Sequence, residues 1–389
     1  MRSTRRRRPA RALAALGEQW TAATTLGPSR LLLVACLRQG LRLARDHNLA
    51  DLGWLTDAAY NYTDDSVWEP LTLPADTADA PDTPADALAE LLTAITRRQH
   101  EHRQRTVDRL TEVLDSGLLT TEVTELALYY RAKAYKDLDQ GAAGAGMRQV
   151  ADADGRLAPK ARRGLANLAR LAGDFPTALA AVPTLGWKGR HYRVLGDIHW
   201  SHADTGQAVA AFEAGCTEAD QHGAAGERAM MQVRLALAVS FADPNRADDE
   251  LALAHQLLDG LDQRSNTLLA QVVALIKDAG TDSVIGRVQR LHAQIDAAGL
   301  PFLHRFVDLA LAFHHAARGE DQDVAATIDR LRALTTTGDF AYFTDIAHFM
   351  AGLPVPASSA TRWLDSPDLT RAGWQRIVDA RREHLGRTR

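Results

Sequence analysis

One segment constrains the fold of this chain more than any other. Tyr192, Leu195, Gly196 and Trp200 are followed by Ala208 twelve residues after Gly196, by Phe212 at sixteen, and by Gly215. The spacing predicts two helices joined by a short turn. Small residues at Gly196 and Ala208 let the two backbones approach, and Phe212 fills the gap one turn later.

The same interval recurs. Ala166 and Ala178 are twelve apart with Val182 at sixteen, and Gly173, Asp174 and Phe175 occupy the turn between them. Ala312, Val324 and Ile328 repeat the interval beside Arg318, Gly319 and Glu320, and Ala132 lies 34 residues before Ala166. The intervals are not uniform: Ala166 to Gly196 is 30, and residues 226–300 read as helix pairs without consensus positions. This pattern resembles the tetratricopeptide (TPR) repeat. The resemblance implies an all-α fold, a right-handed superhelix of stacked antiparallel helix pairs (an α-solenoid) that acts by binding. An ordinary Ala-rich helical bundle with coincidental spacing is the alternative.

Composition agrees with helices. Hydrophobic residues make up 46% of the 389 and charged residues 24%, enough for a core and a wet surface. Alanine is frequent and aromatics are few, which favours closely packed helices. Five lysines stand against forty arginines, a bias that fits a GC-rich, bacterial coding sequence. No run of 18 apolar residues occurs, so no membrane span is expected. Cys36 and Cys216 lie in apolar helical contexts and read as buried free thiols.

Six positive charges, Arg2, Arg5–Arg8 and Arg11, open the chain, and the rest carries −10 of the formal net charge of −4. Residues 1–12 therefore read as a disordered basic arm, which could contact nucleic acid or anionic lipid. The apolar stretch after it is broken by Arg11 and Glu18, so the expected location is the cytoplasm.

Residues 13–62 read as a small N-terminal helical unit, and residues 63–86, with Pro70, Pro74, Pro81, Pro84 and many carboxylates, as a linker. One long helix is expected from Asp86 to Asp115, its polar middle at Arg97–Arg105 bridging to the repeats. Those repeats fill residues 87–353 with that helix included. Residues 354–389 read as a linker and a C-terminal capping helix carrying Trp374, Ile377 and Val378 on one face.

The chemistry-bearing motifs of common enzymes are missing. There is no phosphate-binding loop and no Gly-Lys dipeptide, and Gly141, Gly144 and Gly146 follow a helix in the wrong order for a dinucleotide fingerprint. His100, His102, His314 and His315 lack metal-ligand spacing. The carboxylates Asp243, Asp248, Asp249 and Glu250 fit helix-turn chemistry. A non-enzymatic protein with no cofactor and no metal is the expectation.

The TPR resemblance also implies which side chains face the groove: those three before, one after and four after each small position. Around Ala132 these are Tyr129, Lys133 and Lys136; around Ala166, Arg163, Asn167 and Arg170; around Gly196, Arg193, Asp197 and Trp200. Five of the nine are cationic in an acidic chain. Arg163 and Asn167, with Lys160 or Arg190 assisting, resemble part of the carboxylate clamp of certain TPR domains; Val194 stands where the clamp has its second Asn. An acidic or C-terminal peptide is the ligand this implies. A solvated basic face paired with nearby carboxylates is the alternative.

The texture of Leu110–Leu119, Ala161–Ala169, Leu195–Trp200 and Gly338–Ile346 resembles the C-terminal repeat region of actinobacterial signalling ATPases of the STAND type, over roughly residues 105–385. That resemblance implies a sensor arm or scaffold with a regulatory role, without the ATPase switch, since no residue here matches its phosphate loop. A nucleic-acid-associated transcriptional regulator, using the arginine arm while the repeats sense a ligand, is the competing reading.

Overall fold

The computed structural model describes residues 2–25, 30–49, 51–64, 81–98, 101–138, 142–261, 263–335, 340–355, 363 and 366–388. Within them the chain is all helix, with nineteen helices and no strand. The first five are α1 (Arg2–Thr25), α2 (Arg30–Asp46), α3 (Trp54–Asp64), α4 (Pro84–Arg97) and α5 (Arg103–Asp115). Next come α6 (Thr121–Asp137), α7 (Ala142–Asp152), α8 (Ala158–Leu171), α9 (Phe175–Gly189), α10 (His191–Ser201), α11 (Thr205–Gln221) and α12 (Ala225–Ala242). The last seven are α13 (Pro244–Leu258), α14 (Arg264–Lys277), α15 (Ser283–Ala298), α16 (Phe302–Arg318), α17 (Asp321–Leu334), α18 (Ala341–Met350) and α19 (Pro367–Thr388). None is long and apolar enough to cross a membrane.

Local chemistry sets the helix starts. Asp174, Asp204 and Asp243 each accept a hydrogen bond from a first-turn backbone N–H, at Thr177, Gln207 and Asn245 respectively. From α8 to α18, consecutive helices up to α17 pack as neighbours, and each even-numbered helix also contacts the next even-numbered one. Gly196 of α10 sits beneath the Phe212 ring of α11, so close that a Cβ there would collide with it.

Several expectations change. The segment expected as a single helix over 86–115 folds as the hairpin α4–α5. Its polar middle has no apolar face to bury; Arg98 donates to the Ile95 carbonyl at 2.7 Å, and the His102 ring caps Gln104 N at 3.2 Å. Pro84, assigned to the linker, opens the first turn of α4 two residues before the expected start at Asp86; Thr83 caps the Asp86 N–H at 3.1 Å, and proline lacks only an orphan donor. Residues 65–80 of that linker lie outside the described residues. The cluster expected as an unstructured arm begins α1, whose Leu13 and Trp20 are buried. Arginine and alanine are good helix formers, and the helix runs on through Pro9, which removes one backbone donor from its interior.

The core also ignores the expected boundary at the linker. One apolar cluster runs from Leu13 through Leu55, Leu88, Leu110 and Leu126 to Ala161. A second runs from Ala166 to Val378, so the two meet within α8. Both cysteines are buried and free.

The C-terminal helix buries Trp374, Ile377 and Val378 as its pattern predicts. Its position differs from that of an end cap. α19 lies across the last turns of α10, α12, α14, α16 and α18. Trp374 Nε1 donates to Ser201 O at 3.2 Å, and Gln375 Nε2 to Phe349 O and Met350 O at 2.6 and 2.8 Å. The Arg381 guanidinium, 3% exposed, donates to Ser240 O at 2.5 Å and to Ile276 O and Lys277 O at 2.9 and 2.7 Å. Arg382 donates to Ala316 O at 3.0 Å through Nε. All of these carbonyls belong to final helical turns, which have no partner within their own helix.

Two variants test this packing. Arg381→Met keeps the aliphatic stem but orphans carbonyls of α12 and α14; hydrogen bonds from charged groups contribute about 1.5–3 kcal/mol, so a loss of roughly 2–4 kcal/mol is expected in urea unfolding. Gly196→Ala should cost about 1–3 kcal/mol by forcing the Phe212 ring aside.

Candidate functional site

The even-numbered helices enclose a cavity of about 220 Å³. α6 presents Tyr129, Tyr130, Lys133, Lys136 and Asp137 to it, and α8 presents Lys160, Arg163, Asn167 and Arg170. These positions repeat at three and four residues, one stripe of a helix. α10 adds Arg193 and Asp197; α12 adds Gly226, Glu227, Met230 and Arg234. The far wall comes from α14 and α16, with Gln263, Ser265, Asn266, Leu269, Phe302, Leu303 and Phe306, and from Phe340 before α18. Met147, Arg98, Arg103 and Arg190 fill the gaps.

The chain closes around this space. Phe340 N donates to Leu171 O at 2.7 Å and Arg170 hydrogen-bonds the Tyr342 hydroxyl, tying α8 to α18. The Lys136 ammonium stands 6.0 Å from the Phe302 ring centre, and His102 packs against Gly299, bringing the α4–α5 turn and α6 to the α15–α16 turn.

Charge defines the site. Its wall holds ten cationic side chains and three carboxylates. Each carboxylate is bridged by two cations. Asp137 pairs with Arg103 at 3.1 Å and Lys136 at 3.3 Å; Asp197 with Arg234 at 2.8 Å and Arg170 at 3.4 Å; Glu227 with Arg190 at 3.4 Å and with Arg193. Among the described residues, Arg98, Lys133 and Arg163 form no ion pair. Arg98 and Lys133 stand over the Tyr130 ring, and Arg163 donates to the Tyr129 hydroxyl at 3.2 Å. The Asn167 Oδ1, the Arg163 Nε and the Arg170 Nε are buried without a hydrogen-bond partner.

Protonation responds to this crowding. Burial, then the neighbouring Arg98, holds the Lys133 ammonium well below the usual lysine range. Burial and the positive charges of Arg190 and Arg163 push Lys160 down to about 7, and Arg193 falls to about 10, mainly by burial. Burial works to raise Asp137 and Glu227, but their cationic neighbours outweigh it and hold both below the ordinary carboxylate range. Taking cations out of water beside like charges is costly. A bound anion would relieve that cost.

Eight of the nine groove positions, Tyr129, Lys133, Lys136, Arg163, Asn167, Arg170, Arg193 and Asp197, line this one cavity, and so do the assisting Lys160 and Arg190. Trp200 does not. It is 2% exposed, packed among Phe241, Phe343 and Trp374, because the end of α10 is covered by α19. Sequence reasoning missed Arg234 and Glu227. Their helix lacks the small-residue markers, yet Glu227, Met230 and Arg234 already form a stripe at three and seven residues. Arg98 and Arg103 were hidden by the expectation of one continuous helix, since only a turn there aims them inward.

Away from the cavity, His314, His315 and Glu320 also gather, their ligand atoms within 4.8 Å of one another. The Nδ1 atom of each ring is engaged: Gly280 N donates to His314 Nδ1 at 3.0 Å, and His315 Nδ1 meets Glu320 Oε2 at 2.7 Å. Burial, followed by His315, pushes His314 down to about 4, so it stays neutral and serves the turn.

A pH test follows from Lys160. Its folded value lies below the usual 10.5, so the charged lysine opposes folding in full below about pH 7, and the penalty lifts as pH rises from about 7 to about 10.5. The stability of the native chain relative to Lys160→Met should therefore climb across that window in urea titrations. A Trp200→Ala change should cost about 3–5 kcal/mol in folding without altering the charge of the cavity. Compared with known proteins, the chain matches no family model and no curated relative.

Proposed function

We propose that this chain is a non-enzymatic binding module, a TPR-like scaffold or sensor arm with a regulatory role in the cytoplasm, whose basic cavity takes an acidic or C-terminal peptide. The observation that carries the reading is the excess of ten cations over three carboxylates on a wall built from alternate helices. Alternate helices lining one concave face are what stacked antiparallel pairs in a right-handed superhelix would produce. Among the described residues, Arg98, Lys133 and Arg163 have no ion pair and Asn167 Oδ1 has no donor, so charge and hydrogen-bonding capacity are left for a ligand. A peptide terminus supplies both: carboxylate oxygens for Lys133 and Arg163, and a backbone N–H for Asn167. The resemblance to the repeat arms of STAND-type ATPases supports the regulatory role.

The test is fluorescence anisotropy with a labelled acidic peptide bearing a free C-terminus, beside its amidated form. The native chain should favour the free carboxylate. The Lys133→Glu, Arg163→Glu variant should bind at least about tenfold more weakly, since one charge-assisted hydrogen bond is worth about 1.5–3 kcal/mol. Equal affinity for a basic peptide of the same length would overturn the reading.

A further inference from the structure

We propose that the cavity also receives a phosphorylated small molecule with a flat or apolar body, which competes with the peptide and so regulates the module. The proposal rests on the reading of the cavity as an anion-binding site, and it goes beyond that reading in naming a second, compact ligand.

The two walls differ in chemistry. On one side Lys133, Lys160, Arg163 and Arg193 converge from α6, α8 and α10. Glu227 pairs with Arg193 and is shared with Arg190, and Asp137 is bridged by Arg103 and Lys136, so the two carboxylates offset only part of the positive charge. One peptide carboxylate brings a single charge, whereas a phosphoryl group brings nearly two and three strong acceptor oxygens. The first turns of α12, α14 and α16 also reach the cavity, at Gly226, Ser265 and Phe302, with the positive ends of their dipoles.

The opposite wall sets an apolar patch of Leu269, Phe302, Phe306 and Phe340 beside the polar Gln263, Ser265 and Asn266. A bare inorganic anion would leave that wall unused. A molecule with a phosphoryl head and a flat or apolar body uses both. Size points the same way: α8 is tied to α18 by Arg170–Tyr342 and by Phe340–Leu171, and about 220 Å³ suits a compact molecule better than a peptide passing through.

Protonation provides an independent readout. Lys160 is held at about 7 and Lys133 below its usual range by burial and by the surrounding cations, Arg98, Arg163 and Lys136 at Lys133, and Arg190, Arg163 and Arg193 at Lys160, with Asp137 and Glu227 opposing. A phosphoryl dianion restores the charged forms. Binding above pH 7 therefore takes up protons, and affinity falls by up to about tenfold per pH unit for each proton taken up.

The experiment is calorimetric titration of the full chain with inorganic pyrophosphate, with adenosine 5′-diphosphate and with the acidic peptide. Titrations run at pH 7.0 and 8.5, in two buffers of different ionisation heat. The expected result is binding of the nucleotide at least tenfold tighter than pyrophosphate, proton uptake at pH 8.5, weaker affinity there, and displacement of the labelled peptide. Lys133→Met should weaken both phosphate compounds at least tenfold, and Phe306→Ala should narrow the preference for the nucleotide over pyrophosphate. Arg162→Met, one residue from Arg163 but facing Asp154 on the outside, should change nothing. Peptide binding that neither phosphate compound displaces would overturn this inference and leave the proposed function standing. No binding of any of the three would overturn both. Binding that survives Lys133→Met, or that takes up no proton, would move the phosphate site away from this cavity and also overturn the inference.

Discussion

Alignment of the alternate helices is the constraint on which the rest of the structure depends. α10, α12, α14 and α16 all place their last turns beneath α19 and their first turns toward the cavity. Dipoles lying side by side in one sense repel, and each helix leaves unpaired carbonyls at the same end. Arg381 and Arg382 answer both needs at once. Their guanidinium groups supply positive charge and several donors where the negative ends gather, and a lysine could not span the carbonyls of two helices from one side chain.

The opposite ends of the same helices have the opposite requirement. Partial positive charge accumulates at the first turns of α12, α14 and α16, and the sequence adds formal positive charge beside it. Asp137, Asp197 and Glu227 hold this arrangement together, each shared between two cations. That is enough to let the chain fold and too little to neutralise the wall. Sites that store unfavourable charge in this way are commonly those where binding relieves it.

What the sequence made legible depended on how local the determinant was. The turns at Asp174 and Asp243, and the contact of Gly196 with Phe212, follow from residues a few turns apart, and the stripe of cations on α6 and α8 lies where the TPR resemblance put it. The fate of Trp200 was not local. The position four residues after Gly196 is aimed along the same face as Arg193, and only the arrival of α19, more than 160 residues later, turns it into core. The break between α4 and α5 was equally hidden, because a polar helix exposed to water and a polar turn have the same composition. The merging of the N-terminal helices with α4–α8 into one core rests on contacts such as the Tyr60 hydroxyl with Glu125, 65 residues apart, which no periodicity announces.

The closing contacts have a temporal consequence. Arg170 meets Tyr342 across 172 residues, and Ser201 meets Trp374 across 173. At about 5–20 residues per second of synthesis, α8 and α10 exist for some ten to thirty seconds before their partners are made. Until α19 is made, the ends of α10, α12, α14 and, for the last stretch of synthesis, α16 are bare. A nascent chain of this kind is exposed to aggregation at the helix ends until α19 emerges, and its folding should be limited by that final docking rather than by formation of the helices, which takes on the order of a microsecond.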